Sequence, residues 1–277
     1  MEIINHICFR LEEEPRLIAL LENNRIRYKK GENISTVDIS DKNPQWPIIQ
    51  EYVAERNLFC LSETVFTEAE RSAAEWLTLR STWRCGYPQP EASFKYEQVT
   101  YNTDAHCNEC GNGLVQNNDF QIKKIPNWGA RHFTMLNWVE DELFLDDAAK
   151  TILCQTGLTG FQFRQVRNRT GKEIVPNINQ LFVMEQLSGG LVPEEPMVDK
   201  VETCKVCGCV RYHTRGIGML KYRKEVFCSA PDIVKTSESF GWGHSSSSLI
   251  IVSQRTYQTI VNHRIGRGLE FEPLELI

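Results

Sequence analysis

Apolar residues in the first 66 positions alternate between the spacing of β-strands and the spacing of amphipathic helices. In chain order the pattern predicts a strand, a helix, two short strands separated by a turn, a second helix and a last strand. These elements cover residues 3–11, 13–23, 26–28, 36–39, 46–56 and 58–66. The order β-α-β-β-α-β is that of a ferredoxin-like domain, so we expect an α+β fold of this kind at the front of the chain.

An additional helix is predicted to begin at Thr67. Thr67 and Glu70 have the spacing of a capping box, which satisfies the first amide groups of a helix. Apolar residues then follow at helical spacing, at Ala73, Ala74, Trp76 and Leu77. The helix is therefore expected to continue to about residue 77.

Two stretches of the second part of the chain share one pattern of elements. Each predicts a strand, a helix, a glycine turn and another strand, the first over 143–163 and the second over 249–271. Asp146 and Ser253 stand where the N-cap of each helix is expected. The pattern predicts an internal duplication, with two related strand-helix-strand halves.

A turn-rich passage separates these two parts of the chain. Pro88 and Pro90 cannot continue a helix, and a polar and aromatic run follows them. We therefore predict an acidic α+β domain at 1–100 and an α/β domain with the internal duplication at 101–277.

Composition and charge narrow the class of protein. The 277 residues are 41% hydrophobic and 24% charged, which is typical of a globular protein and excludes a collagenous or broadly disordered chain. No apolar run reaches the roughly 18 residues of a membrane helix, and the N-terminus lacks the features of a secretory signal. We expect a cytoplasmic protein. Residues 1–106 carry 12 Lys and Arg against 17 Asp and Glu, so the net charge of −5 arises in the front part.

Two cysteine pairs are the strongest local signal. Cys107 and Cys110 are separated by two residues and followed by a glycine, and Cys204 and Cys207 repeat this Cys-x-x-Cys-Gly motif. Two thiolates at this spacing can bind one ion across a tight turn, and four of them form a closed tetrahedral site that favours zinc. The sequence predicts a structural, zinc-ribbon-like site of four cysteines that joins regions separated by 93 residues, 111 through 203.

Other interpretations of these cysteines remain open at this point. The two pairs could be redox-active or could bind no metal. Three neighbouring residues could also replace a cysteine as a ligand, namely Cys209, His106 and His213.

Around these motifs the chain resembles the bacterial double-CXXCG proteins. The resemblance covers roughly residues 105–277 and rests on the two CXXCG motifs and five further segments. These are Asn137-Trp138-Val139-Glu140-Asp141-Glu142-Leu143-Phe144, Ala230-Pro231-Asp232-Ile233-Val234, Phe240-Gly241, Ile251-Val252-Ser253 and Gly268-Leu269-Glu270-Phe271-Glu272-Pro273-Leu274. Some members of the family resemble immunity proteins that neutralise toxins used against neighbouring cells.

The resemblance implies a non-enzymatic immunity protein that binds and neutralises a cognate toxin. Such a protein needs a rigid surface with complementary charge, and it needs no catalytic residues. The acidic front part would suit a basic toxin, although carboxylates are also ordinary solvated surface groups. We predict no membrane partner, and the sequence does not indicate which residues bind the toxin.

A nucleic-acid-binding protein with a zinc ribbon is the alternative. Basic and aromatic residues follow the second cysteine pair, as contacts with phosphates and bases would require. They are Arg211, Tyr212, His213, Lys221, Tyr222, Arg223 and Lys224. Exposed strands also carry Lys and Arg as edge protection, so this pattern has a purely structural interpretation too.

An enzyme is the least favoured class. His244 lies beside the serine run 245–248, but a serine nucleophile needs a base and an oriented acid that proximity in sequence does not supply. Four acidic residues near the start of a predicted helix could bind a hard cation, although acids also favour a helix N-terminus. They are Asp141, Glu142, Asp146 and Asp147. We predict no catalytic residues.

Overall fold

A computed structural model describes residues 1–277 and divides the chain into two compact units. The first unit contains Met1–Thr67 and the short segment Arg215–Gly218, and the second contains Glu68–Thr214 and Met219–Ile277. The structural division at residue 67 therefore differs from the predicted boundary near residue 100. The reason is a strand that pairs with the C-terminal part of the chain, described below.

The first unit is a three-stranded antiparallel sheet with two helices. Its strand order is β2-β1-β3, so β2 and β3 run in the same direction on either side of β1 and are joined by a helix. This arrangement is a split β-α-β unit. Its elements are β1 (Glu2–Phe9), α1 (Pro15–Asn23), β2 (Ser35–Ser40), α2 (Trp46–Glu55) and β3 (Phe59–Val65).

One face of this sheet forms the core of the first unit. Residues on alternate positions of β1 and β2 pack against the buried sides of α1 and α2. Members of this core include Ile7, Phe9, Leu17, Val37 and Ile49. The period of two in the strands and of three to four in the helices explains why the apolar pattern located these elements correctly.

The predicted strand at 26–28 is the exception. These residues adopt no strand, and only the neighbouring Lys29 forms an isolated bridge with Thr36. The sheet therefore has three strands where the predicted β-α-β-β-α-β order requires four. The mixed α and β character of the chain is confirmed.

The second unit contains the remaining strands and helices. Two 3₁₀ turns, Ala92–Phe94 and Lys224–Phe227, supplement them. No helix of the chain is long and apolar enough to span a membrane. The elements are α3 (Glu68–Ala73), β4 (Trp76–Ser81), α4 (Tyr96–Thr100), β5 (Tyr101–Asn102), β6 (Val115–Gln116), β7 (Gln121–Ile122), β8 (Phe133–Leu136), β9 (Val139–Leu145), α5 (Asp147–Gln155), β10 (Phe161–Asn168), β11 (Ile174–Val183), β12 (Leu191–Val192), β13 (Val198–Thr203), β14 (Val210–Thr214), β15 (Lys221–Tyr222), β16 (Ile233–Lys235), β17 (Ser239–Phe240), β18 (Ile250–Ser253), α6 (Gln254–Asn262), β19 (Leu269–Pro273) and β20 (Glu275–Leu276).

Two sheets of the second unit share a topological feature. One has the order β7-β10-β11-β9-β8 and the other the order β16-β18-β4-β19. In the first sheet, β9 and β10 flank the antiparallel β11 and are connected through α5. In the second, β18 and β19 flank the antiparallel β4 and are connected through α6. Side chains of both sheets, such as Leu77, Leu143 and Val252, belong to one hydrophobic core.

β4 shows why the predicted helix needs correction. The helix begins where the capping box places it but ends at Ala73, and Trp76–Ser81 is a strand. Leu77 and Leu79 are buried at alternate positions of β4, while the strand pairs with β18 and β19. Because pairing with strands about 170 to 195 residues away determines its conformation, short-range helical spacing was misleading here.

Candidate metal centre

Each Cys-x-x-Cys-Gly motif lies at the end of a two-stranded hairpin. The first connects β5 with β6, which pair antiparallel, and the second connects β13 with β14. The two hairpins belong to the second unit. Short antiparallel strands bring the ends of each motif together, and the tight turn between them presents the thiols on one side.

The backbone of the two motifs is nearly identical. The amide of Cys107 donates to the Asn112 carbonyl at 2.8 Å, and the amide of Gly111 donates to the Cys107 carbonyl at 2.7 Å. In the second motif, Cys204 donates to Cys209 at 2.8 Å and Gly208 donates to Cys204 at 2.9 Å. Both glycines have a φ of 76°, a left-handed conformation that other residues rarely adopt. The sequence repeat is thus a repeat of local geometry.

The four sulfur atoms form one cluster. All of them lie within 4.8 Å of one another, with 3.8 Å between Cys107 and Cys204 and 3.5 Å between Cys110 and Cys207. Disulfide bonds are about 2.05 Å long, so these cysteines are free thiols. A tetrahedral ion with metal–sulfur bonds of about 2.3 Å places its sulfur ligands about 3.8 Å apart. The predicted four residues are therefore brought together, and the cluster could hold a metal ion.

The protein environment acts on these thiols in opposite directions. Burial raises the pKa of the Cys110 thiol to about 12. The backbone amides of Cys207 and Val206 lower the pKa of the Cys204 thiol to about 7. Four adjacent thiolates repel one another and lose solvation, so a cation that binds thiolates would offset both costs.

A buried arginine connects the two halves of this centre. Arg211, on β14, donates to the carbonyl oxygens of Cys110 at 3.4 Å, Gly243 and Ser245 at 3.3 Å. It also donates to the Glu202 carboxylate at 3.0 Å, which neutralises its buried charge. Its position was not predicted as part of the site, because the contacts join residues up to 101 positions apart.

Residues 241–248 cover the first cysteine motif. His244 Nδ1 donates to the Asn108 carbonyl at 2.9 Å. A Cβ atom at Gly111 would lie 2.2 Å from the His244 carbonyl oxygen, so only glycine fits beneath this segment. The segment that looked most reactive in the sequence therefore packs against the backbone of the cysteine cluster.

The alternative ligands lie outside the sulfur cluster. Cys209 Sγ contacts Ser239 Oγ at 3.6 Å and the Val210 carbonyl at 3.7 Å. His213 is buried, with its ring 4.0 Å from the ring of Trp242. The sulfur cluster does not include His106 either.

The residues proposed for contacts with nucleic acid are mostly buried or paired. Arg211, His213 and Tyr222 are buried. Lys221 forms an ion pair with Glu194 at 2.8 Å, and Lys224 pairs with a carboxylate of Glu75 at 2.6 Å.

The acidic residues near α5 have structural partners. Lys235 Nζ donates to Glu142 at 2.6 Å and to Asp141 at 3.0 Å. Asp146 is the N-cap of α5 and accepts from the Ala149 amide at 2.8 Å. Asp147 accepts from Asn179 at 2.8 Å.

An exposed apolar face on the sheet of the first unit was not predicted. Phe59, Leu61 and Val65 alternate along β3 and are 60%, 58% and 42% exposed. Their neighbours on β1, across the register, are Cys8, His6 and Glu2. In the sequence, the alternation of residues along β3 was the only indication of this face. Alternation separates the two faces of a strand but does not show which of them the rest of the protein covers.

No protein-family model matches this chain, and no curated protein is significantly similar to it. The resemblance to the double-CXXCG proteins thus rests on the motifs alone and stays a prediction.

Proposed function

We propose that this chain is a non-enzymatic immunity protein that binds and neutralises a cognate toxin, and that a structural zinc ion stabilises its second unit. The observation that carries the proposal is the exposed apolar face of β3. Apolar patches that remain exposed on a folded unit commonly mark sites of protein interaction.

The surroundings of this face favour a basic partner. Within the same sheet, Leu61 is opposite His6, which in turn is opposite the exposed Asp38. Glu63, also exposed, is opposite Ile4. Glu63 lies between Leu61 and Val65 on the same face of β3, so apolar and acidic side chains share this face, and the carboxylates would steer a positively charged toxin.

Zinc is the metal that the donor set supports best. Four thiolates on two tight turns match the ligands of a structural zinc site, and such a site keeps no open position for water or substrate. All ten cysteines are free, which fits a reducing compartment such as the cytoplasm. The ion would stabilise the protein and would take no part in a reaction.

We also infer a duplication within the second unit. The equivalent placement of α5 and α6 between strands that flank an antiparallel strand supports it, as do the matching backbones of the two cysteine motifs. The split β-α-β arrangement of the first unit supports a relationship with ferredoxin-like domains, of which this unit lacks one strand.

Co-expression with the product of the adjacent gene tests the immunity function. The wild-type chain is expected to restore growth of cells that produce this toxin and to co-purify with it. Leu61→Lys is expected to weaken binding by about 10- to 100-fold, because it places a repulsive charge in the apolar centre of the interface.

Ile48→Lys is the matched control. Ile48 is 52% exposed on α2 of the same unit, away from the sheet face, so this variant is expected to bind and protect like the wild type. Absence of both protection and complex formation with the wild-type chain would contradict the proposal. Equal loss in the two variants would exclude the sheet face as the binding surface.

A further inference from the structure

A cavity in the second unit combines an apolar floor with three arginines. It has a volume of about 360 Å³ and is lined by residues of α3, α6, β19 and the turn between α6 and β19. Tyr257, Leu269 and Phe271 supply apolar surface. Arg71, Arg264 and Arg267 supply positive charge.

The three guanidinium groups have no carboxylate partner in the protein. Glu270 also lines the cavity, but its carboxylate is engaged by Arg80 at 2.7 Å. Arg71 uses its Nε atom to donate to the Phe271 carbonyl at 3.2 Å, which holds the side chain in place and leaves its terminal nitrogens available. The cavity is thus a local concentration of positive charge in a chain whose net charge is −5.

Tyr257 provides a second, independent observation. The residue is only 4% exposed, and its ring packs edge-on against Phe271 at 5.0 Å between centroids. Its hydroxyl makes no hydrogen bond with the chain and is not among the fully buried polar atoms, so it remains accessible where Tyr257 lines the cavity. Because this hydroxyl is accessible and unpaired within the chain, it can form a hydrogen bond with a ligand in the cavity.

We propose that this cavity binds a phosphomonoester that carries a ring. Guanidinium groups match the geometry of phosphate oxygens, and three of them balance a dianion better than a single carboxylate charge. The ring would lie on the apolar surface of Leu269 and Phe271. A volume of about 360 Å³ is within the range of small-ligand sites and accommodates a molecule up to the size of a nucleoside monophosphate.

The residues of this cavity differ from those on which the proposed function depends. No cysteine of the metal centre lines the cavity, and the exposed face of β3 belongs to the other unit. Failure of toxin binding would therefore leave the phosphomonoester site intact, and the reverse also holds.

Calorimetric titration of the full chain with phenyl phosphate tests the proposal. We expect binding with a dissociation constant below about 1 mM, and at least about tenfold weaker binding of inorganic phosphate and of benzoate. Arg71→Gln combined with Arg267→Gln should weaken phenyl phosphate binding by at least about tenfold, and Tyr257→Phe by a few-fold.

Arg169→Gln is the control, since Arg169 is an exposed arginine that does not line the cavity. It should bind phenyl phosphate like the wild type, and thermal unfolding should confirm that every variant is folded. Four results would overturn the proposal. They are no binding of phenyl phosphate at 10 mM (roughly ten times the expected upper limit), equal binding of benzoate, equal binding of inorganic phosphate, or the same loss in Arg169→Gln.

Discussion

Glu14 is a buried carboxylate at the start of α1 whose partners come from α2 and from the residue that follows it. Arg56 donates to its two oxygens at 3.1 and 3.2 Å, and the Tyr52 hydroxyl donates to one of them at 2.5 Å. The Arg56 guanidinium holds the pKa of the Glu14 carboxyl below its ordinary value of 4.5, although burial acts in the opposite direction. The ionised side chain thus connects the two helices of the first unit.

Glu14→Gln is expected to reduce the stability of the first unit at pH 7 by about 1–2 kcal/mol. This range is the net contribution to stability of a hydrogen bond to a charged group, reduced because Arg56 is half exposed to solvent. A carboxyl whose pKa is lower in the folded than in the unfolded state stabilises the fold when the pH lies above the unfolded pKa. This stabilisation is lost as the pH falls through the folded pKa. The difference between variant and wild type should therefore shrink below about pH 4.5, as measured by urea unfolding at several pH values.

Glu12→Gln provides the matched control for this prediction. Glu12 is exposed and lies two residues before Glu14, so its replacement should alter stability by less than about 0.5 kcal/mol. A Glu14→Gln variant that is as stable as wild type at pH 7 would exclude the proposed role of the carboxylate.

At the level of elements, the N-caps were the most accurate predictions of local structure. Asp146 accepts a hydrogen bond from the third residue of α5, and Ser253 accepts from Thr256 in α6. Both positions were predicted because a cap and its helix are adjacent in sequence. Asp146 also contacts His132 Nδ1 at 2.9 Å, a contact 14 residues away that the cap signal does not reveal.

Asp146→Ala is expected to lower the free energy of unfolding by about 1–2 kcal/mol, because the first turn of α5 loses its acceptor. Asp146→Asn keeps a capping oxygen and should recover most of this loss. Thr151→Ala, an exposed position in the same helix, should be close to neutral. Thermal or urea unfolding measures all three, and equal effects of the Ala and Asn variants would argue against the capping role.

At the level of the whole molecule, the four cysteines join hairpins that are 97 residues apart along the chain. The first hairpin has few residues in regular strands, since β5 and β6 have only two each, whereas β13 has six and β14 has five. Short strands alone provide little stability, so a metal that links the hairpins would contribute strongly. Arg211 and residues 241–248 add hydrogen bonds across the same region.

Metal analysis of the purified chain is expected to find about one zinc ion per molecule. Cys107→Ser and Cys204→Ser should each lose the metal and several kcal/mol of stability, with a decrease in the melting temperature of about 10 °C or more. Chelation of the wild-type protein should produce the same decrease.

Cys209→Ser is the control that distinguishes loss of a clustered cysteine from loss of a neighbouring one. Cys209 lies beside the four clustered cysteines but outside the sulfur cluster, so this variant should retain the metal and nearly all of the stability. Loss of zinc in Cys209→Ser, or full stability of a metal-free Cys107→Ser variant, would contradict the assignment.

Local signals in the sequence predicted the cysteine turns, both helix caps and most elements of the first unit correctly. Each of these features depends on residues within about five positions of one another, where spacing alone defines the geometry. The sequence also identified the four cysteines that the fold brings together, because a repeated motif implies a common partner.

Contacts between distant residues decided the rest. Leu77 belongs to a strand because β4 pairs with β18 and β19, and Asp141 and Glu142 bind Lys235 from a strand more than 90 residues away. The exposed face of β3 and the arginine cavity arise from which surfaces the fold leaves uncovered. Local periodicity carries no information on such pairings, because their energy exists only when the folded chain brings these residues together.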